Sequence, residues 1–319
     1  MTDTIRTGII GLGIMGRRML EQMLPRADFN PVAMWDPSAG SMAAAGVLAP
    51  EIAVTSAEQV IADSDLVYMA CPPVPRRDYA LMAAMAGKSL FLEKPLGFDL
   101  AATTDMVDGI RATGVPAAVN FVQASSPPLA QVLTARDDGA MGPLAGGDIH
   151  LTYSRWPRAW QADADWLRFR AEGGMTREVM SHLMFCMIRV MGPMDIVWSR
   201  PAFPGVDDLC ETAVMAELGN RDGLRINIMA QVGGAGPDRQ EVTFRGEKTS
   251  FRIAEFYHLL TTSGDQWSTA MAPPADPRGE SLQAQLDQMA LCHRGADHSL
   301  ATLDEALAVA RLIEGLLYP

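Results

Sequence analysis

The chain has 319 residues, 48% of them hydrophobic, which suits two domains with a core each. Its formal net charge of -12 and its lack of any long Lys/Arg run speak against nucleic acid, whose phosphates demand a basic face. No apolar run approaches the roughly 20 residues of a membrane helix, and the first one breaks at Gly11 and Gly13 instead of forming a signal peptide, so no membrane and a cytoplasmic protein are expected.

Residues 5–10 read as a short strand and residues 14–23 as an amphipathic helix, joined through Gly11-Leu12-Gly13-Ile14-Met15-Gly16. Between a strand and a helix this spacing has a mechanism. Gly11 permits the tight turn, Gly13 lets a pyrophosphate approach the backbone, and Gly16 lets the helix lie close on the strand. A second strand, residues 31–35, ends at Asp36, 20 positions after Gly16, where an acid can accept both hydroxyls of an adenosine ribose. That favours NAD, because Asp36 would repel a 2′-phosphate. Ser38 and the pair Arg17-Arg18 keep NADP open, and so does the reading of Asp36 as a plain turn acid before Pro37.

Ser56 with Gln59 makes a capping box for a short helix, and residues 66–70 form the next buried strand. It stops at Cys71-Pro72-Pro73, where backbone can lie along a dinucleotide. Residues 75–85 then read as a helix, residues 89–92 as a strand running into Glu93 and Lys94, residues 99–113 as a helix ended by Gly114, and residues 116–119 as a strand reaching Asn120. Strand and helix alternating in this way give a doubly wound parallel sheet, whose ligands sit beyond the carboxyl ends of the strands. The candidate cofactor contacts are therefore Gly11, Leu12, Gly13, Ile14, Met15, Gly16, Asp36, Cys71, Pro72, Glu93, Lys94 and Asn120.

The ordered set Gly11-x-Gly13-x-x-Gly16, Asp36, Cys71-Pro72-Pro73, Gly87-Lys88 and Glu93-Lys94-Pro95-Leu96 resembles the Gfo/Idh/MocA family of glucose-fructose oxidoreductase and inositol dehydrogenase. The resemblance implies an NAD(P)-dependent oxidoreductase with an amino-terminal Rossmann domain and a carboxyl-terminal, largely antiparallel sheet open on one face, a route to a homo-oligomer. It also implies that Lys94, at the end of the fifth strand, reaches the nicotinamide and the substrate hydroxyl, and that the Lys94-Pro95 bond is cis. One departure is evident: the family commonly has Thr-Pro-x-x-x-His where this chain has Cys71-Pro72-Pro73-Val74-Pro75-Arg76.

The domain boundary is expected at residues 121/122, giving 1–121 to the dinucleotide domain and 122–319 to an α+β substrate domain. Period-two strands follow near residues 146–153, 195–200, 211–218, 224–231, 241–245 and 249–253. Between the first two lies an apolar helix, residues 175–191, capped by Gly192, with Glu178, Ser181, His182, Phe185 and Arg189 on one face. The family keeps Asp-x-x-x-His here, so the resemblance assigns His182 as acid/base and Glu178 as the acid that orients it; a Glu178-His182 pair that only satisfies itself in the core is the other reading.

Before that helix, a loop carries Trp156, Trp160 and Trp166 with Arg155, Arg158, Arg168 and Arg170. It reads either as a substrate loop or as a self-packed one. Gln123, Trp160, Trp166, Arg168 and Arg177, with Lys94 and His182, are the candidate substrate contacts. Cys71, Cys186, Cys210 and Cys292 lie far apart in apolar surroundings and read as reduced core thiols. Cys292-His293 and His298 read as a loop between two helices, with no metal expected. The expected activity is hydride transfer between NAD(P) and a secondary alcohol of a cyclic sugar, polyol or related hydroxy compound. A dinucleotide-binding sensor, or a reductase of an aldehyde, imine or C=C bond, are the alternatives.

Overall fold

A computed structural model describes residues 4–161 and 164–319. The chain forms two compact units, Met1–Ser125 with Arg278–Leu307, and Ser126–Pro277 with Ala308–Pro319.

The first unit alternates β1 (Ile5–Ile10), α1 (Ile14–Met23), β2 (Phe29–Trp35), α2 (Ala39–Gly46), α3 (Ala57–Asp63), β3 (Leu66–Met69), α4 (Pro73–Met85), β4 (Ser89–Glu93), α5 (Leu100–Thr113) and β5 (Ala117–Asn120). The strands stand in the order β2-β1-β3-β4-β5, all parallel. Ala53 adds one parallel bridge to Met34. Counted as a strand, it completes the 3-2-1-4-5-6 Rossmann order and makes β4 the fifth, as the resemblance implies. Every residue of β3 and β4 is buried, the signature of a sheet covered on both faces. Short-range chemistry starts and stops the helices. Ser38, Ser56 and Asp99 accept from the first-turn N–H groups of α2, α3 and α5, and Gly114 closes α5 in a left-handed conformation.

The second unit begins with α6 (Pro127–Asp137) and β6 (Leu144–Tyr153), continues through a π-helical turn, Thr176–Met180, into α7 (Ser181–Met191), and then runs through β7 (Asp195–Ala202), β8 (Ala213–Gly219), β9 (Arg225–Val232), β10 (Arg239–Gly246), β11 (Ser250–Ala254), β12 (His258–Thr262) and β13 (Ser268–Met271). Its eight strands are ordered β13-β12-β11-β10-β6-β9-β8-β7. All pairs are antiparallel except β6 with β9, so the sheet is mixed. That parallel seam is possible because β6 is followed by α7 and a hairpin, long enough to bring the chain back in the same direction. The edge strand β13 and its neighbour β12 escape the sequence reading because little of them is buried, which leaves β13 no apolar alternation.

One face of this sheet is covered. Along β9, Ile226, Ile228 and Ala230 are buried while Arg225, Asn227, Met229 and Gln231 are exposed. The helix α7 lies on the buried side. At Gly147, a side chain would overlap the Thr243 carbonyl and begin 3.2–3.3 Å from the terminal carbons of Met191 and Met187, so glycine is what lets the β10 backbone, and with it the helix side chains, come this close to β6.

The chain then returns to the first unit. From α8 (Pro277–His293), Leu282, Leu286, Met289 and Ala290 share one core with Ile5, Met19, Leu20, Met23 and Phe29. Arg26 reaches Gln283 and Asp287, and the Gln285 amide donates to the carbonyls of Phe121 and Val122. The sequence reading gave all of 122–319 to the second domain; residues 278–307 instead belong to the first, because this apolar stripe completes the core beside α1. Cys292 and His293 fall in the last turn of α8, not in a loop, and His293 Nδ1 lies 2.8 Å from Ser89 Oγ. The final helix, α9 (Leu303–Leu317), opens on a reciprocal capping box of Thr302 and Glu305. All four cysteines are buried, and burial pushes Cys186 and Cys210 up to about 12 and Cys292 to about 11. No helix among the described residues is long and apolar enough to cross a membrane.

Leu286 is fully buried. Leu286→Ala is expected to cost about 2–5 kcal/mol, and hydrogen exchange should place the loss in β1 and β2 while the amides of β6 and β9 keep their protection. Loss confined to β6 and β9 would contradict the assignment of α8 to the first unit.

Candidate functional site

Because β1 to β5 are parallel, their carboxyl ends share one edge, and the segments that leave them line it. Gly11 has φ +95°, and a side chain there would overlap the backbone of Ala70 and Cys71. One at Gly16 would overlap the Gly11 carbonyl. Gly13 faces open space, with nothing within 4 Å of where its side chain would begin. No side chain caps α1 and no acid sits in its first turn, so its leading N–H groups can receive an anion. This turn fits a dinucleotide pyrophosphate, with Leu12, Ile14 and Met15 supplying backbone around it.

Asp36 is drawn against the same turn. Its Oδ2 accepts the Leu12 N–H at 2.7 Å and its Oδ1 accepts the Ser38 N–H at 2.8 Å. Arg17, one of the cations that left NADP open, donates to the Leu12 carbonyl at 2.7 Å and braces the turn from α1.

The end of β4 is a polar knot. Glu93, 6% exposed, accepts from the Tyr68 hydroxyl at 2.5 Å and the Asn120 amide at 2.6 Å, both on Oε1. Burial raises the Glu93 carboxyl above its ordinary range, and burial followed by the Glu93 charge raises the Tyr68 phenol well above its own. Glu93 and Asn120, expected at the cofactor, are thus joined to Tyr68 in an interior network. Half-buried Lys94 follows directly, and its bond to Pro95 is cis. Arg76 completes the knot from α4. It donates to the Cys71 carbonyl through Nε at 3.1 Å and Nη2 at 2.5 Å, and through Nη1 to the carbonyls of Glu93 and of Pro95, the latter at 2.6 Å. The sequence marks position 76 as the departure from the family's histidine, but not that this arginine is buried while Arg77 beside it is only partly so. Pro72 caps α4, and Gln123 is buried in the 3-10 turn that follows β5.

In the second unit, His182 stands one residue into α7, its ring meeting Phe256 edge-on at 5.7 Å between centroids. Among the described residues, Phe256 and Glu255 are the two non-glycine residues with positive φ, at 68° and 51°, in the turn closed by the Tyr257 N–H on the Ala254 carbonyl. Such turns favour Asn and Gly, so a bulky pair held there marks a constrained segment that no sequence signal announces. Glu178 lies in the π turn, where Oε1 accepts the Gln161 amide at 3.4 Å and Arg158 approaches to 3.9 Å.

That turn, expected as ordinary α-helix, brings two more residues to buried acids. The Thr176 N–H donates to Glu211 at 2.8 Å, and burial raises the Glu211 carboxyl. Arg177 forks onto both oxygens of Glu314 at 2.6 and 2.7 Å and donates to the Arg170 carbonyl at 2.6 Å. Expected as a substrate contact, Arg177 is a fully engaged interior residue instead, only 4% exposed.

The tryptophan loop packs on itself at its base. Trp156 donates to the Leu167 carbonyl at 2.9 Å and meets the Tyr153 ring, and Arg158 lies 4.7 Å over Trp160. Its rim is open: Trp160 and Trp166 are 44% and 39% exposed, and Arg168 pairs with Asp165 at the surface.

Residues 5–121 match the Gfo/Idh/MocA profile described as an oxidoreductase family with an NAD-binding Rossmann fold. The inositol 2-dehydrogenase of Rhizobium meliloti is 28% identical over 180 residues, covering 56% of this chain and 52% of that protein, so the chain spans about half the length of this curated relative. Among solved structures, the WlbA dehydrogenase from Bordetella pertussis, in complex with NADH and UDP-GlcNAcA, superposes with a TM-score of 0.84 at 21% identity, over 100% of this chain and 96% of that one. An oxidoreductase from Agrobacterium radiobacter, in complex with NAD+, L-tartaric acid and magnesium, gives 0.83 at 15% identity, over 98% and 95%. These two structures share the fold.

The overlap at Gly16 sets an expectation. Gly16→Ala should weaken binding of NAD(H) at least about tenfold, a loss of about 1.4 kcal/mol, in a fluorescence titration; unchanged affinity would show that the pyrophosphate does not lie on this turn.

Proposed function

We propose that this chain, whose residues 5–121 match the Gfo/Idh/MocA oxidoreductase family, is an NAD-dependent dehydrogenase of a secondary alcohol on a cyclic polyol or sugar. The observation that carries this reading is Lys94, delivered by the buried end of β4 to the sheet edge that also bears the glycine turn and Asp36. When bound, the nicotinamide supplies the hydride acceptor. The Lys94 ammonium hydrogen-bonds the reacting oxygen and favours the alkoxide. His182, from the second unit, is assigned the part of taking the hydroxyl proton, as the family resemblance implies. Phe256 limits the swing of that ring, and Glu178, positioned by Gln161, orients it.

Two features favour NAD over NADP. Asp36 is held beside the turn by two backbone donors, and Arg17 is turned to the Leu12 carbonyl. A cyclic polyol or sugar accords with the inositol 2-dehydrogenase relative and with the exposed indole faces of Trp160 and Trp166, which suit sugar rings. Gln123 and Arg168 are further candidate contacts. Self-association through the uncovered face of the eight-stranded sheet belongs to the same reading. Met215 and Met229, directly opposed across β8 and β9, and Trp198 are 52%, 46% and 41% exposed there.

A spectrophotometric screen of NAD and NADP against cyclic polyols, sugars and sugar acids tests the reaction. On the substrate it identifies, Lys94→Ala is expected to lower kcat about a hundredfold with NAD affinity nearly intact; full turnover would remove Lys94 from the chemistry. Asp36→Ser should move the NADP/NAD ratio of kcat/KM at least about tenfold toward NADP, and an unmoved ratio would deny Asp36 its role at the ribose.

A further inference from the structure

Among the described residues of the first unit, the buried Arg76 has no task in the chemistry above. We propose that Arg76 is a positioning residue for Lys94: its guanidinium pins the peptide groups on both sides of that lysine and ties them to the turn after β3. The inference rests on the reading of Lys94 as the group that engages the reacting oxygen.

Three carbonyls receive Arg76, and their places in the chain matter more than their number. Glu93 O belongs to the peptide entering Lys94, and Pro95 O lies just beyond the Lys94–Pro95 bond, so the two bracket the lysine. Cys71 O belongs to the segment leaving β3, the strand beside β4. One planar group therefore holds two neighbouring exits of the sheet in register, the Nε/Nη2 edge on one and Nη1 on the other. Neither a lysine ammonium nor an imidazole has this reach, because the first is a point charge on a flexible stem and the second offers two donors at most.

Arg76 is 2% exposed, and burial lowers its pKa against the pull of the nearby Cys71 and Glu93 groups, so its charge leans on the carbonyl oxygens that accept its hydrogen bonds. All three carbonyls lie at the carboxyl edge, where substrate and cofactor would meet Lys94. Charge so placed serves the geometry of that edge.

The sequence supplies a direct probe, because Lys88, Lys94 and Lys248 are its only lysines. Reductive 13C-methylation of the full chain gives three lysine NMR reporters besides the α-amine, and Lys94→Ala identifies the one of interest. Lys88, held by the Ser64 carbonyl at 2.7 Å in the same unit, reports on the fold. In Arg76→Gln the Lys94 resonance is expected to shift and broaden while those of Lys88 and Lys248 stay in place. On the substrate found by the screen, kcat should fall tenfold or more with the NAD Kd within twofold, and Arg76→Gln should cost nothing further in the Lys94→Ala background. An unmoved Lys94 resonance in folded Arg76→Gln, or an undiminished effect on kcat in that background, would overturn the proposal. If Lys94→Ala itself keeps full turnover, the catalytic reading of Lys94 fails, and the resonance still decides whether Arg76 fixes that residue. If Arg76→Gln unfolds, seen as collapse of the Lys88 signal, Arg76→His is read in the same way; unfolding of both assigns Arg76 to stability alone and overturns the proposal.

Discussion

A charge at the rim of an apolar sheet is tolerated only when something meets it, and that requirement shapes the edge of the first unit. An uncompensated buried ion costs several kcal/mol, enough to consume much of a domain's stability. At the end of β4 the requirement is met twice over. Glu93 receives a phenol and an amide on one oxygen, and Arg76 spends its donors on three carbonyls. The result is a rigid seat from which Lys94 emerges half-buried. Asp36 obeys the same rule in simpler form, satisfied by two backbone N–H groups while its charge stays at the phosphate turn.

The second unit solves a similar problem at the start of its long apolar helix. There Glu211 and Glu314 are buried acids, one meeting a backbone N–H at the first widened turn and the other the guanidinium of Arg177. Burial works against the charge of Arg177, yet the Glu314 carboxylate outweighs it and raises its pKa overall. These contacts anchor the helix immediately before His182, and Phe256 closes on the ring from a turn that bulky residues rarely adopt. Both units thus place a candidate functional group directly after a segment immobilised by buried polar contacts.

What was legible in the sequence was what is local. The glycine spacing, Asp36, the strand running into Glu93 and Lys94, and the capping residues act over a few positions, and each stands at the end of the strand or helix that the sequence assigned it. Long-range partners were not legible. Arg177 read as a substrate contact because Glu314 stands 137 positions away, and what Arg76 holds in place of the family's histidine was hidden because its acceptors lie at the exits of β3 and β4. The π turn has the composition of any apolar helix, and the left-handed pair Glu255-Phe256 lacks the Asn-Gly signature that would have marked it. The return of α8 escaped for a related reason: its apolar stripe says that it packs, not against which sheet.

That return bears on how the protein comes off the ribosome. The core around Ile5, Met19 and Leu20 stays unfinished until Leu282, Leu286 and Met289 have been made, with the whole of Ser126–Pro277 emerging in between. The intervening unit can condense while the earlier sheet still shows a naked apolar flank, the condition under which nascent chains stick to one another. Vectorial synthesis therefore exposes the older half of this molecule longest, and a holding chaperone would find its natural target on the face that α8 later covers.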